Sequence, residues 1–221
     1  MKINSRLKMI GDLVPANSFC LDVGCDHALL DIYLVKRNMD ITPIGSDIKE
    51  GPLEHAKANI EKEGLENKIE LRLGDGLSTY KNEDTVIISG MGGRNIIGIC
   101  KNNIKVLKNI KTFIISPNNY QEDVKRFLCK NGFYIENEEF VKDNNIIYQI
   151  IVFNRGHRKY NKIDYFLGPV IRIKKGVLFR EYYEREYKSR EILINILPKR
   201  YRLRKRRLKK EMEIIKKEIE D

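Results

Sequence analysis

Two carboxylates and a glycine follow a short apolar run near the start of the chain, in the segment Leu21-Asp22-Val23-Gly24-Cys25-Asp26-His27. The pattern predicts a strand, a tight turn and a helix, with Gly24 letting a ligand approach the backbone. A dinucleotide-binding loop needs a glycine where this chain has Asp26, because pyrophosphate lies against bare backbone. A carboxylate there tolerates a ligand carrying a sulfonium and an ammonium group. The motif therefore favours S-adenosylmethionine, the alternative being that Asp22 only caps backbone amides.

Two further acidic positions follow predicted strands. Asp47 lies 23 residues after Gly24, near the ~20-residue spacing at which a carboxylate reaches ribose hydroxyls in βαβ units. We expect Asp47, with its neighbour Ile48, to bind the cofactor ribose. The segment Gly74-Asp75-Gly76 fits a loop that holds adenine, with Asp75 accepting from the exocyclic amine and Gly76 beside it. By itself, Gly-Asp-Gly is more often only a turn.

A glycine-rich segment, Ser89-Gly90-Met91-Gly92-Gly93, ends the fourth predicted strand. Glycines here would let a flat base lie against bare backbone, with carbonyl oxygens open to its exocyclic amine. Met91 could contact a ring, but a methionine more often packs, so it is no catalytic candidate. We expect Ser89, Gly90, Met91 and Gly92 to border the cofactor.

Strands and helices must alternate to position these segments. Apolar runs of strand length occur at Phe19–Val23, Ile41–Gly45, Ile69–Leu73, Thr85–Ser89, Phe113–Ser116, Phe133–Phe140 and Ile146–Phe153. Amphipathic segments separate most of them, which predicts a largely parallel sheet covered on both faces. The last two are joined by the polar stretch 141–145, too short for a crossover helix, so they should pair antiparallel. This is the outline of an α/β, class I (Rossmann-like) methyltransferase sheet of seven strands, although periodicity alone does not separate it from other doubly wound folds.

Taken together, these motifs resemble the TrmK-type bacterial tRNA (adenine-N1)-methyltransferases. The likeness rests on Ser5-Arg6-Leu7, Asp22 to Ala28 with Leu30, Gly51-Pro52 and the helix to Gly64-Leu65, Gly74-Asp75-Gly76-Leu77 and Gly90-Met91-Gly92-Gly93, with weaker matches at Pro117-Asn118, Tyr148 and Gly168-Pro169. It spans nearly the whole chain. Asp31 departs from the pattern, because a proline is usual there, and Asp47 stands where Glu is frequent. Ser89 and Ser116 replace other small or polar residues.

The resemblance implies transfer of a methyl group from S-adenosylmethionine, without a metal, to N1 of adenosine 22 in the D-arm of tRNA. This nitrogen carries a free lone pair at neutral pH, so transfer needs no strong base, but the product ring becomes cationic. Asp26 is the best carboxylate to stabilise that charge. His27 either binds the base edge or relays a proton, or it only starts a helix. Asn118 either orients adenine or is a turn residue.

The positive charge is concentrated in the last third of the chain. Residues 160–221 contain 19 Lys and Arg against 10 Asp and Glu, whereas residues 1–159 contain 23 against 21. Nine of the twelve residues from Lys199 to Lys210 are basic, which favours contact with a polyanion over a solvated helix face. The residues predicted to contact RNA are Arg6, Lys199, Arg200, Arg202, Arg204, Arg206 and Arg207.

The same segment carries an apolar seam. Tyr201, Leu208, Met212, Ile215 and Ile219 recur with a period near 3.5, and Phe179, Tyr182, Glu186, Leu193 and Leu197 form a less regular partner stripe, with Pro198 between the two. We therefore expect a methyltransferase domain over residues 1–159 and a C-terminal helical hairpin over 160–221. The resemblance likewise implies a coiled-coil-like extension.

Composition limits the remaining choices. No apolar run reaches the length of about 18 to 20 residues that spans a membrane, and the first residues lack the pattern of a signal peptide. We expect a cytoplasmic monomer that acts on tRNA, without a membrane or an obligate protein partner, and with its four cysteines reduced. Two alternatives remain open. One is a methyltransferase for another RNA site or a small molecule, and the other is a catalytically silent RNA-binding protein.

Overall fold

The structure is a computed structural model that describes residues 3–37 and 40–220, and the chain divides into two compact units, residues 1–160 and 161–221. In the first unit the strands are β1 (Phe19–Val23), β2 (Thr42–Asp47), β3 (Glu70–Leu73), β4 (Thr85–Ser89), β5 (Thr112–Ser116), β6 (Phe133–Asp143) and β7 (Ile146–Arg155). Its helices are α1 (Ser5–Asp12), α2 (Leu29–Lys36), α3 (Glu50–Lys62), α4 (Gly93–Asn102), α5 (Ile104–Leu107) and α6 (Gln121–Lys130), and a 3-10 turn spans Gly76–Thr79.

The seven strands form one sheet in the order β3-β2-β1-β4-β5-β7-β6. All neighbours pair in parallel except those that involve β7, which runs antiparallel to β5 and β6. The order reverses between β1 and β4, and a crevice at such a point is where doubly wound sheets bind ligands. The predicted α/β class with an antiparallel pair at the end of the sheet is confirmed.

The connection between β6 and β7 differs from the prediction. The polar stretch 141–145 was expected as a connector, but β6 continues to Asp143 and only Asn144 and Asn145 form the turn. Both turn residues have positive φ, 46° and 65°. A two-residue hairpin of this kind needs left-handed backbone at both positions, and asparagine tolerates it. Apolar periodicity does not detect such a turn, so the strand was predicted too short.

Aliphatic side chains between the sheet and its helices form the core. Ile10 of α1 and Leu34 of α2 pack with Ile87, Ile114 and Ile150 of the central strands. Each of these side chains is fully buried, which contributes about 1.5–3 kcal/mol per residue. The strands that carry the predicted site are therefore held in a rigid, dry layer.

The second unit contains α7 (Lys162–Leu167), α8 (Ile171–Lys174), α9 (Val177–Ile196) and α10 (Arg202–Glu220). The long helices α9 and α10 pack on each other, and Arg190 Nε of α9 lies 2.9 Å from Glu211 Oε2 of α10. Leu208 and Ile215 of the predicted seam are buried, but Tyr201 is 41% exposed. The predicted Tyr182 is half-buried, and its neighbour Tyr183 is buried and donates to the Leu167 carbonyl at 2.7 Å.

A carboxyl group without hydrogen-bond partners lies inside the first unit. Asp31 of α2 is fully buried, and neither of its side-chain oxygens has a partner. Its Oδ2 lies 3.2 Å from the point that a Cβ on Gly45 would occupy. Burial raises the pKa of Asp31 to about 7, because the charged form loses its solvation. The family that this sequence resembles usually has a proline at this position, and a proline has no carboxyl group to bury.

We predict that Asp31→Asn stabilises the protein more at pH 8 than at pH 5. The pKa of Asp31 in the folded protein, about 7, exceeds its ordinary value of 3.8, so the folded chain binds the extra proton and loses stability as the pH rises from about 4 to about 7. Asn has no proton to lose, so its advantage at pH 8 should be on the order of 2–4 kcal/mol. Urea unfolding at both pH values measures the difference, and a pH-independent difference would contradict the assignment.

Candidate active site

A cleft of about 370 Å³ opens at the carboxyl ends of the parallel strands. It is lined by Val23, Gly24, Ser46, Asp47, Ile48, Gly74, Asp75, Gly76, Met91, Asn95, Gly98, Ile99 and Asn102. The structure thus brings together six residues predicted to bind the cofactor: Gly24, Asp47, Ile48, Asp75, Gly76 and Met91. The other predicted cofactor residues, Asp22, Asp26, Ser89, Gly90 and Gly92, are not among those that line the cleft.

The loop after β1 is fixed to the end of β2. The amides of Gly24 and Cys25 both donate to the Ser46 carbonyl, at 2.8 and 2.9 Å. Gly24 has φ +78°, a conformation that strains other residues. A Cβ at Gly24 would also collide with the Met91 methyl group. Two constraints therefore require a glycine at this position: the positive φ of the backbone and the close approach of Met91.

Two carboxylates face the cleft from neighbouring loops. Asp47 ends β2, where its Oδ1 accepts from the Lys49 amide at 3.0 Å and its carbonyl accepts from the Gly74 amide at 2.9 Å. This second bond ties the Gly74–Gly76 loop to the end of β2, next to Asp47. Asp47 and Asp75 both line the cleft, so two acceptors are available for hydroxyl and amine donors.

One wall of the cleft comes from α4, which the sequence interpretation missed. Asn95, Gly98, Ile99 and Asn102 line it. They are spaced by three, one and three residues, which places them on one helix face. Ile99 lies 2.7 Å from the point that a Cβ on Gly76 would occupy. In the sequence, the two asparagines seven residues apart, Asn95 and Asn102, could have indicated that this helix face lines the cleft.

Asp26, the predicted charge stabiliser, and His27, the predicted base-edge or proton-relay residue, lie on the loop just after Gly24. Asp26 has φ +52° and its side chain is 67% exposed. His27 Nε2 lies 3.6 Å from Asp26 Oδ2, and its ring meets that of His55 edge to face at 5.4 Å. The His27 carbonyl accepts from Asn59 at 3.0 Å. The contacts of His27 are therefore with α3, and its role at the base stays a prediction.

Asn118 is bonded to the glycine-rich loop. Its Nδ2 donates to the Gly90 carbonyl at 2.7 Å, and its amide donates to the Met91 carbonyl at 2.9 Å. The Gly93 amide contacts Asn119 Oδ1 at 3.1 Å. Carbonyl oxygens of this loop were expected to be open to the base, but those of Gly90 and Met91 already accept hydrogen bonds from Asn118. Its carboxamide oxygen is the atom that could accept from adenine.

The acidic residues of this region repel one another. Asp22, at the end of β1, is buried, and its pKa is well above the usual range because of burial and, secondarily, the charges of Asp31 and Asp47. A ligand with a sulfonium and an ammonium group would relieve this repulsion, whereas a pyrophosphate would add to it. The residues present therefore fit S-adenosylmethionine.

The basic residues predicted to contact RNA lie in two places. Arg6 belongs to α1 in the first unit, and its guanidinium lies 4.5 Å from the centre of the Tyr148 ring. The others flank or begin α10, where Lys199, Arg200, Arg202, Arg204, Arg206 and Arg207 are exposed. Arg207 Nε donates to Glu211 Oε1 at 2.8 Å, so its charge is partly neutralised.

The cysteines do not line the cleft, and all four are free thiols. Burial raises the pKa of Cys20 and Cys25 well above the usual range and that of Cys100 to about 12.

Residues 3–37 and 40–220 contain no group of three or more His, Cys, Asp and Glu side chains that could hold a metal. No helix in the described part of the chain is long and apolar enough to cross a membrane.

Comparison with known proteins identifies the family. The family model TrmK, tRNA (adenine(22)-N(1))-methyltransferase, matches residues 20–217. The tRNA (adenine(22)-N(1))-methyltransferase of Bacillus subtilis is 28% identical over 194 residues, which cover 84% of this chain and 82% of that protein.

Solved structures agree with this match. A Streptococcus pneumoniae protein in complex with S-adenosyl-L-methionine is 30% identical, with a TM-score of 0.88 over 97% of this chain and 98% of that one. The M. capricolum TrmK in complex with S-adenosyl-homocysteine is 25% identical, with a TM-score of 0.86 over 100% and 99% of the two chains. This chain belongs to the TrmK family of tRNA (adenine(22)-N(1))-methyltransferases.

Proposed function

We propose that the protein transfers a methyl group from S-adenosylmethionine to N1 of adenosine 22 in tRNA. The observation that carries the proposal is the cleft at the strand ends, lined by Gly24, Asp47, Asp75 and Met91, in a chain that matches the family over residues 20–217. The direct test is to incubate unmodified tRNA with labelled cofactor and map the methylated nucleoside by mass spectrometry. Methylation at another position, or none, would contradict the proposal.

Different residues at the strand ends bind different parts of the cofactor. Asp47 accepts from the ribose hydroxyls, with Ile48 against the same part of the ligand, and Asp75 and Gly76 hold the adenine. Gly24 provides the close backbone approach, and Asp22 lies buried behind the loop, where a cationic ligand favours its charged form. Ser89, Gly90, Met91 and Gly92 separate the cofactor from the acceptor base. When bound, S-adenosylmethionine supplies an electrophilic methyl group on a sulfonium.

The remaining requirements of the reaction are to orient the acceptor base and to stabilise the positive charge that develops on it. Adenine N1 needs no deprotonation, so the protein has to hold the base unpaired and in line with the methyl group. The Asn118 carboxamide oxygen accepts from the exocyclic amine and orients the ring. Asp26 stabilises the positive charge that develops on the ring, with His27, 3.6 Å away, at the base edge. No proton has to be removed before transfer.

The tRNA requires contacts beyond one base. Arg6 and the exposed basic residues at the start of α10 attract the phosphate backbone. This basic segment favours an RNA substrate over a small molecule, and the presence of the cofactor-binding carboxylates disfavours a catalytically silent protein. We further propose that the protein acts in the cytoplasm and as a monomer. Light scattering of the purified protein with and without tRNA would test the oligomeric state.

The first prediction concerns the cofactor site. Gly24→Ala should weaken S-adenosylmethionine binding by at least about tenfold, because a Cβ at φ +78° collides with Met91. Gly51→Ala is the matched control, because nothing lies within 4 Å of a Cβ there. Calorimetry measures both affinities. Equal affinities in two folded variants would remove the Gly24 loop from the cofactor site.

The second prediction separates binding from chemistry at Asp26. Asp26→Asn keeps the size and hydrogen-bonding capacity but removes the charge, so turnover should fall about 10- to 100-fold while the cofactor affinity changes much less. Single-turnover methylation and calorimetry give the two quantities. Near-normal turnover would exclude Asp26 as the charge stabiliser, and an equal loss of both would make it a cofactor ligand.

The third prediction concerns the basic segment of α10. Replacing Arg202, Arg204 and Arg206 with Gln should weaken tRNA binding and flatten its dependence on salt, with methylation still at the same adenosine. Arg207 is left in place because it pairs with Glu211. Filter binding at several salt concentrations measures both effects.

The control for this triple variant replaces Lys57, Lys62 and Lys105, which are exposed in the first unit, with Gln. Both variants lose three charges, so a general effect of net charge would appear equally in both. Equal losses would leave α10 without a specific role.

A further inference from the structure

The first turn of α1 presents a cation to the glycine-rich loop. Asn4 caps the helix, its Oδ1 accepting from the Leu7 amide at 2.8 Å, which fixes the position of Arg6. The three heavy atoms nearest to the point that a Cβ on Gly90 would occupy are all from Arg6: Nη2 at 3.4 Å, Nη1 at 3.9 Å and Cζ at 4.0 Å. The space beside the bare Gly90 backbone is therefore bounded by the guanidinium.

Tyr148 supports that guanidinium. The Arg6 Cζ lies 4.5 Å from the centre of the Tyr148 ring, a cation–π distance. In β7, Ile151 pairs with Ile115 of β5, and Tyr148 lies three residues further toward the carboxyl end of β5. Gly90 follows β4 at the same end, because Ser89 pairs in parallel with Ser116. Arg6, Tyr148 and Gly90 therefore meet at the edge of the sheet where the cleft opens.

The Arg6 side chain is held with unused hydrogen-bonding capacity. Its Nε is buried and has no hydrogen-bond partner. An unpaired buried donor is unfavourable, and the cation–π contact offsets only part of that cost. Such an arrangement is typical of a site that gains its missing acceptor from a ligand.

The chemistry of the reaction restricts what this ligand group is. A guanidinium against N1 of adenine would oppose the positive charge that forms there, so the N1 edge has to face away from Arg6. The phosphates of a flipped nucleotide are the groups that carry negative charge, and arginine binds them through several parallel hydrogen bonds.

We propose that Arg6, held on the face of Tyr148, binds a backbone phosphate of the target nucleotide and so places the flipped adenine beside Gly90. Arg6 is then a substrate-binding residue and Tyr148 a positioning residue that acts through it. This inference rests on the proposed function, in which Arg6 attracts the phosphate backbone. It specifies that the bound group is a phosphate of the target nucleotide and that Tyr148 supports the Arg6 side chain.

The test compares four variants in single-turnover methylation of tRNA. Arg6→Gln should lower kcat/KM for tRNA about 10- to 100-fold, with the salt slope of tRNA binding reduced by about one. Arg6→Lys should recover part of the loss, because a lysine still binds phosphate as a point charge. Tyr148→Phe should remain near the wild type, since the ring face and not the hydroxyl supports the cation. Tyr148→Leu should resemble Arg6→Gln.

A matched control exists in the same sheet. Arg158 lies 4.0 Å from the centre of the Tyr134 ring, but Tyr134 is the second residue of β6, at the opposite end of the strands. Arg158→Gln removes the same kind of contact and should leave methylation unchanged. Calorimetry with S-adenosylmethionine, expected to give the wild-type affinity for every variant, confirms that each is folded. If Arg6→Gln fails this check, Tyr148→Leu takes its place in the comparison.

The outcomes separate this inference from the function on which it rests. A wild-type protein that does not methylate tRNA contradicts the proposed function. A wild-type protein that does, together with an Arg6→Gln variant of unchanged kcat/KM and salt slope, overturns only the role of Arg6. A loss in Arg6→Gln that lysine does not relieve overturns the phosphate assignment, and a harmless Tyr148→Leu overturns the role of Tyr148.

Discussion

The carbonyl oxygen of Ser46 accepts two backbone amides, those of Gly24 and Cys25, and the arrangement of the cleft depends on this pair of hydrogen bonds. They bend the chain sharply at the end of β1 and hold the loop against the end of β2. A left-handed glycine is what makes the bend possible. Because Asp47 directly follows Ser46, the same contact sets the distance between the first loop and the Asp47 carboxylate in the cleft.

A second set of backbone bonds joins the loops after β4 and β5. Gly90 donates to Ser116, Asn118 donates to Met91, and Gly93 donates to Asn119. The glycine-rich loop and the segment that carries Asn118 therefore move as one piece. Met91 packs from this piece onto Gly24, so the glycine-rich loop is in direct contact with the loop after β1.

Much of the fold and part of the site could be predicted from the sequence. The strands β1 and β4 begin and end as predicted, because buried parallel strands are short, continuous apolar runs. Gly24, Asp47 and Asp75 were identifiable because strand ends converge at one edge of a sheet. The α4 wall was missed because Asn95 and Asn102 belong to no loop motif, and only the packing of α4 across the cleft brings them to it.

Other differences arise from tertiary contacts that periodicity does not contain. Tyr182 and Tyr183 are adjacent, and a hydrogen bond to the Leu167 carbonyl accompanies the burial of Tyr183. Tyr201 fits the seam by spacing but lies just before α10, where no helix partner covers it, and it is exposed. His27 contacts His55 and Asn59, residues of α3 whose proximity depends on the path of the chain between α2 and α3.

The thiols give the first unit a set of internal reporters. Cys20, Cys25 and Cys100 are buried with raised pKa values, so alkylating agents reach them only when the surrounding structure opens. Cys129 is half-buried and reacts under less restrictive conditions. Because Cys25 belongs to the loop after β1 and Cys100 lies in α4, the relative labelling rates of the native thiols follow local opening on both sides of the cleft without any introduced probe.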